Sequence, residues 1–528
     1  MEEVPKTPSP LRGEGRGGGE MVKYIFLPQR SLLTINKKEG AVLAAADSRR
    51  RIKPLKFKTK LDLMDQQQAM AIDQASRYIL EKVGIRMPLP AALDLLEAAG
   101  AKTERSRGLV YFPSDLVDWA LKQAPAHFTL YARDPENDLL LDGKQGFLTL
   151  DGCGLQVIDL ESGELRKSSL SDLEKAILVA DYLEEIAFLW PVISAQDMTK
   201  TQQPLFELVA QLQYSGKHVQ AMTAVNPNSA RGSVEIAATV AGGREALRQR
   251  PLISNFQCSI SPLAYDPEGL EAAMIFAEAG IPTGFLTMQI GCSTAPATLA
   301  GSMAQANAEL LAGIVFLQCF RPGAPTFYGS CATVMELKTG AVCCGGPEDF
   351  ILQALTAQMA RYYGLPSNVG TFATGAKASN WHAGVENAIS GTVSAFAGAD
   401  MMCGAGLLAG AVIFSFEQLL LDCEIYEIIR RTACGITVDA EMLALETIAG
   451  VGSADHFMVE PHTFKHMREL WQPELINRSP YGKWQAEGCR EAEESARARA
   501  LWILENHRPI PLEAGLKEEI DQIIAAYL

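Results

Sequence analysis

Residues 282–334 read PTGFLTMQIGCSTAPATLAGSMAQANAELLAGIVFLQCFRPGAPTFYGSCATV. The first ten residues are an apolar, strand-like run. TLAGSMAQANAELLAGIVFLQ (298–318) carries an apolar pattern with helical spacing. PTFYGSCATV (325–334) is a second strand-like run. A strand, a long helix and another strand in sequence make a crossover unit, which pairs its strands in parallel.

The same alternation extends both ways. Strand-like runs fall at 188–197, 218–225, 251–260, 367–374 and 399–407, with helical patterns between them. Several of these helices close on Gly, where a C-cap favours positive φ. Seven strands with intervening helices predict a parallel α/β sheet. GFLTLDGCG (146–154) or HFMVEP (456–461) supplies an eighth, and eight close a (β/α)8 TIM barrel. The alternative is a doubly wound open sheet. No G-x-G-x-x-G opens a helix after the first strand, and GAGLLA (404–409) sits at the last.

Upstream, 60–125 reads as three helices, followed by short strands in HFTLYARD and NDLLLDG. Downstream, 438–528 reads as helices expected to wrap the barrel. The predicted organisation is a disordered tail at 1–20, N-terminal helices and short strands at 21–145, the barrel at 146–460, and a C-terminal helical extension at 461–528.

Composition bounds the function. The 528 residues include 47 basic and 62 acidic side chains, a formal net charge of −15, with 48% apolar residues. This describes a large-cored globular protein and excludes a disordered chain or a disulfide scaffold. An acidic chain is a poor partner for nucleic acid. Residues 1–20 are rich in Gly, Pro and charge and lack the apolar core of a secretion signal. Eleven cysteines without a CxxC predict free thiols in a reducing cytoplasm. Cys343–Cys344 is a weak zinc candidate, and no tightly bound metal is expected. Residues 388–414 carry one charge, Asp400, and mimic a membrane span. A buried helix followed by a buried strand has the same composition, and no membrane is expected. His456, His462 and His466 match no HExxH pattern and read as structural.

Chemistry at a parallel sheet gathers at the carboxyl ends of the strands. That rule selects Asp197, Gln220, Thr223, Ser259, Ser261, Gln289, Ser330, Thr333, Thr374, Cys403 and Gly404. Three denser clusters accompany them. Residues 326–349 form a Gly-rich strand end and loop containing Glu336. Residues 374–386 gather Lys377, Asn380, Trp381, His382 and Glu386 at a helix start. Its plainer reading makes Asn380 a cap and Trp381 a staple. In 406–425, Glu417 and Asp422 follow Phe414 and Phe416. Aromatics beside carboxylates suit an alkylammonium, whereas core phenylalanines with solvated acids are the plainer reading.

The runs GSCATVMELKTGA, ARYYGLPS, GAKASNWHAGVENAISGTVSAFAGADMMCGAGLL, FSFEQLLLDCEI and HFMVEPHTFKHMRELWQPELINRSPYGKW resemble the trimethylamine methyltransferase family. The resemblance spans residues from about 65 to 525. It implies a TIM barrel that passes a methyl group from a small methylated amine to Co(I) of a corrinoid (cobalamin) carried by a cognate corrinoid protein. The trimethylamine branch carries pyrrolysine, and this sequence has none. The resemblance therefore points to the branch acting on quaternary amines such as glycine betaine. A quaternary ammonium expels a neutral amine when its methyl is attacked and needs no proton. The implied tasks are cation capture, placement and exclusion of water.

On this reading Tyr328, Phe372, Trp381, Phe414 and Phe416 are the expected cage. Glu336, Glu386 and Glu417 are its counter-charges, and Lys377, His382 and Asn380 are the expected catalytic donors. A homo-oligomer is expected. The competing classes are a lyase or aldolase using Lys377 as a Schiff base, and a binder of quaternary amines without turnover.

Overall fold

Eight strand–helix pairs follow one another between residues 145 and 433. The strands are β1 (Gln145–Thr149), β2 (Phe188–Leu189), β3 (His218–Gln220), β4 (Ile253–Ile260), β5 (Thr283–Thr287), β6 (Tyr328–Ser330), β7 (Ser367–Gly370) and β8 (Met401–Cys403). Each is followed by a helix: α1 (Leu170–Tyr182), α2 (Gln203–Tyr214), α3 (Pro227–Ala241), α4 (Pro267–Glu278), α5 (Leu299–Phe320), α6 (Pro347–Tyr363), α7 (Trp381–Phe396) and α8 (Phe416–Ala433). The computed structural model describes residues 51–528 apart from Cys153 and Ala514. The tail expected at 1–20 lies outside the described residues.

Every consecutive pair from β2 to β8 is hydrogen-bonded in parallel. The order then returns to its start. β8 pairs in parallel with β1 through Met401–Phe147, Met402–Leu148 and Cys403–Thr149. A parallel bridge joins Leu148 of β1 to Ile186, two residues before β2, and Ala187 N donates to Leu148 O at 2.8 Å. Of the two segments proposed for the eighth strand, GFLTLDGCG supplies it. HFMVEP does not: residues 456–460 lie outside regular structure, and Pro461 opens a short helix. In the run 188–197 the regular strand ends after two residues, since Pro191 has no N–H to continue the ladder, and pairing resumes as a parallel bridge between Ile193 and Gly154.

Local chemistry sets the helix boundaries. Ser169 and Asp172 form a capping box on α1, and Asn226 and Ser229 do so on α3. α5 is apolar on all sides and nearly all buried, so it is a core helix. It is also the one helix among the described residues long and apolar enough to cross a membrane, and 89% of that stretch is buried in the fold. The 388–414 stretch divides between α7 and β8 and their connections.

Aromatic rings pack around β4. Trp190 stacks on Phe256 at 5.4 Å between centroids, and Phe256 meets Phe327 at 4.7 Å. Gly284 of β5 is obligatory there, since a Cβ would stand 2.5 Å from the Phe327 ring.

The N-terminal helices 66–78, 90–98 and 114–123 pack on α5. Strand 55–56 adds antiparallel to β1. At the other end, helix 492–506 packs on α8 and α1, and helix 516–527 on α3. Both arginines of helix 492–506 are engaged: Arg499 lies over the Tyr182 and Trp502 rings, and Arg497 donates to Glu161 O at 2.6 Å. Between Ala433 and these helices, the helices 440–443, 445–451, 461–466 and 481–486 bury none of their residues.

Candidate functional site

Residues paired across a parallel ladder share a face of the sheet. The register therefore aligns Cys258, Leu286, Gly329 and Asn368 from β4 to β7. It continues through Gly370, Cys403 and Thr149 from β7 to β1. Two residues beyond Gly329 and Thr149 on the same alternation stand Cys331 and Asp151. The carboxyl ends of the strands thus gather three thiols and one carboxyl.

Their chemistry is that of an enclosed place. The Cys403 thiol donates to Asn368 Oδ1 at 3.3 Å. The Cys331 thiol is raised well above its usual pKa, first by its hydrogen bond with Cys403 and then by burial. Burial pushes the Cys258 thiol up to about 12 although part of its surface meets solvent. Burial also raises the Asp151 carboxyl, against the bond it accepts from Gly152 N at 2.7 Å. Both amide atoms of Gln220 and Nδ2 of Asn368 are buried without a partner among the described residues. Unpaired buried amides are costly and mark places where a ligand can complete the bonding. Sequence reading selected Gln220 and Cys403 but missed Asp151, Cys258, Cys331 and Asn368. The signal was alternation along each strand, which needs the register before it names a face.

A second cluster lies in the loops above. Gly375 N donates to Glu386 Oε2 at 2.9 Å, and the Thr374 hydroxyl donates to the same oxygen. His382 Nε2 lies 2.7 Å from Glu386 Oε1, one helical turn away on α7. Gly345, with φ +81°, lies against the carboxylate, and a Cβ there would collide with it. Its own N–H donates to Asp349 Oδ2 at 3.0 Å. Burial raises Asp349 to about 7, against this bond and one from Gln353. Glu386 thereby joins the loop after β6 to the loop after β7. The Cys343 thiol is raised by burial and then by the fields of Asp349, Glu336, Glu348 and Glu386. Glu386 and Asp349 therefore meet at Gly345, where the two loops join.

A third cluster is sealed. Asp422 of α8 accepts from Asn387 Nδ2 at 2.7 Å, Gln418 Nε2 at 2.8 Å and Gly406 N at 2.9 Å. It is fully buried, and burial raises it to about 7. Ala409 N and Gly410 N donate to Ala376 O and Thr374 O, which knits the loop after β8 onto the loop after β7.

The five aromatics expected as a cage are not brought together. Trp381 is 81% exposed at the start of α7, on a different face from Glu386. Tyr328 is buried and donates to Asn307 Oδ1 of α5 at 2.8 Å, in the layer between sheet and helices. Phe372 is buried with φ 55°, a strained position for a residue with a Cβ, and its ring covers Gly391. Phe414 and Phe416 meet edge to face at 5.0 Å within the core.

Of the carboxylates, Glu417 is buried and accepts from Ser415 Oγ at 2.9 Å, whereas Glu336 is exposed on a hairpin tip. Asn380 caps α7, its Oδ1 accepting from His382 N at 2.9 Å and Ala383 N at 3.4 Å. Lys377 is exposed and donates to Gly375 O. Of the expected site residues, the structure therefore joins His382 and Glu386 directly, with Asn380 and Lys377 on the same loop. Ser259 and Ser261 instead donate to the buried Glu309 of α5, at 2.6 and 2.7 Å.

Comparison with known proteins adds to this geometry. The model of the family described as trimethylamine methyltransferase matches residues 36–527. The trimethylamine methyltransferase of Desulfitobacterium hafniense (strain DSM 10664 / DCB-2) is 33% identical over 455 residues, 86% of this chain and 91% of its own. The glycine betaine methyltransferase of Desulfitobacterium hafniense (strain Y51) is 32% identical over 469 residues, 88% of this chain and 97% of its own. The solved monomethylamine methyltransferase of Methanosarcina barkeri covers 86% of this chain and 92% of its own, at 11% identity and a TM-score of 0.46.

Proposed function

The chain belongs to the trimethylamine methyltransferase family, and on that premise we propose that it moves a methyl group from a quaternary amine, such as glycine betaine, to a corrinoid carried by a separate protein. The carrying observation is the meeting of Glu386 and Asp349 at Gly345, in the loops above the strand ends, in a chain without pyrrolysine. Carboxylates attract a cation, and a net charge of −15 adds to that field. The circuit of eight parallel pairings supports a closed (β/α)8 barrel, whose active face is the one that carries these loops.

A reduced corrinoid would supply the nucleophile that accepts the methyl group. The strand ends fit such a partner, because the unpaired amides of Gln220 and Asn368 offer polar contacts and no protein ligand to cobalt is required. The chain's own work is binding and placement. Glu386, held by Thr374, Gly375 and His382, is fixed as a counter-charge. Lys377 and His382 are the donors available to a substrate carboxylate. Asn380 serves them by starting α7. Trp381, exposed at the rim, suits the surface that the corrinoid protein covers.

Charge leaves nitrogen as the methyl departs. A counter-charge that gripped the cation too closely would stabilise the ground state more than the transition state. A carboxylate already shared among three donors is a weaker, longer-range attractor and fits that requirement. Lys377 is exposed and lacks the desolvated surroundings of a Schiff-base lysine, which counts against the aldolase reading. The ten cysteines among the described residues stand as thiols, which supports a reducing, cytoplasmic setting.

The test is a spectral assay of methyl transfer to cob(I)alamin across a panel of methylated amines. Methylcobalamin formed from a quaternary amine and not from trimethylamine is the expected result. Transfer from trimethylamine alone, or from none of the panel, would overturn the reading.

A further inference from the structure

The segment between Ala433 and helix 492–506 is a region whose helices bury nothing, so little hydrophobic burial offsets the entropy of ordering it. Three side chains converge within it. Glu441 lies on helix 440–443. His462 and His466 lie one turn apart on helix 461–466. One ligand atom from each comes within 4.8 Å of the other two. His466 Nε2 stands 3.1 Å from Glu441 Oε1, and the two imidazole centroids are 4.4 Å apart. His462 Nε2 faces Glu441 O at 3.2 Å.

His466 stands between two carboxylates. Its Nδ1 lies 2.8 Å from the Glu469 carboxylate, which can only accept, so Nδ1 carries a proton. In the neutral ring Nε2 then presents a lone pair. It would point at a second carboxylate, Glu441, which also only accepts. Two arrangements satisfy that contact: a second ring proton, which makes His466 an ion-paired cation, or a metal ion held by Nε2 and the Glu441 carboxylate together. A carboxylate behind the distal nitrogen of a histidine is the usual outer support of a metal-bound imidazole.

We propose that Glu441, His462 and His466 form a binding site for a divalent transition metal of the zinc class, which ties helix 440–443 to helix 461–466. Two imidazole nitrogens and one carboxylate are a ligand set zinc accepts, with water completing the coordination. Glu469 orients His466. The ion would displace the Lys465 ammonium, which lies 2.6 Å from Glu441 Oε1. These residues belong to none of the strand-end loops, so the site is separate from methyl transfer. Sequence reading grouped His456, His462 and His466 and read them as structural without metal. What it lacked was Glu441, which only the fold brings to the pair.

The test uses the full chain, stripped with chelator and titrated with zinc chloride. Stoichiometry is read by elemental analysis after gel filtration, affinity by calorimetry, and protease resistance by the cleavage rate between 436 and 490. One zinc per chain is expected, with cleavage slowed by zinc. His462→Ala and His466→Ala should each weaken binding at least about a hundredfold, and Glu469→Gln about tenfold. His456→Ala should leave binding unchanged. Melting temperatures in chelator confirm that each variant is folded. If the His462→Ala/His466→Ala double variant binds zinc as tightly as the unaltered chain, or if the unaltered chain binds none, the proposal is overturned. The three residues would then be an ion-pair cluster around a protonated His466.

Discussion

Glu386 and Asp422 use one device in two settings. Each carboxylate projects from the helix after its strand and accepts the N–H of a glycine in the loop before that helix. For Glu386 this is Gly375 N, and for Asp422 it is Gly406 N, both at 2.9 Å. Asp422 is sealed from solvent and bonded to protein amides alone. Glu386 takes its last bond from His382, which is half exposed. The sealed carboxylate builds the loop. The open one builds its loop and still faces a place a ligand can reach. Position after a parallel strand thus selects both residues, and exposure separates scaffold from site.

The largest effect should come from the sealed member. Asp422→Ala leaves three buried donors unpaired and should cost about 3 kcal/mol or more in urea unfolding. A loss below about 1 kcal/mol would show that Asp422 does not hold the loop.

Asp422 should also write itself into the pH profile. Its folded pKa, about 7, lies above the unfolded value of about 3.9, so the folded state keeps a proton that the unfolded chain has released. That contribution is complete below about pH 4 and is lost as pH rises through 7. The stability difference between the unaltered chain and Asp422→Asn should therefore narrow from pH 5 to 8 and then level. A flat difference in chemical denaturation across that window would remove Asp422 as the titrating group.

The exposed rim should behave in the opposite way. Trp381→Ala should shift stability by no more than about 0.5 kcal/mol. It should slow transfer to the corrinoid protein about tenfold while slowing transfer to free cob(I)alamin less. Trp381→Phe should lose less than Trp381→Ala. Equal losses with both acceptors would place the ring on the small substrate instead.

Legibility of the sequence follows the same division. The strand–helix alternation was readable because each element carries its own period and caps, as in the Ser169 and Asn226 capping boxes. The loop containing Glu386 was found because polar residues crowd a helix start. The cage was not, because apolar periodicity cannot say which aromatics are open. Phe372, Phe414 and Phe416 are core, Tyr328 is committed to Asn307, and only Trp381 is exposed among the five. Asp151, Cys258 and Cys331 escaped notice because their shared face exists only once β1, β4 and β6 are in register.

The most direct measurement is methyl transfer from glycine betaine to cob(I)alamin by the unaltered chain and by Glu386→Gln, at concentrations spanning KM. Glutamine keeps the size of the side chain and removes its charge. Because Glu386 attracts the cation from a distance and about equally in the ground and transition states, KM should rise about fivefold, roughly 1 kcal/mol, with kcat nearly unchanged. No demethylation of the quaternary amine by the unaltered chain, or an unchanged KM in the variant, would contradict the account.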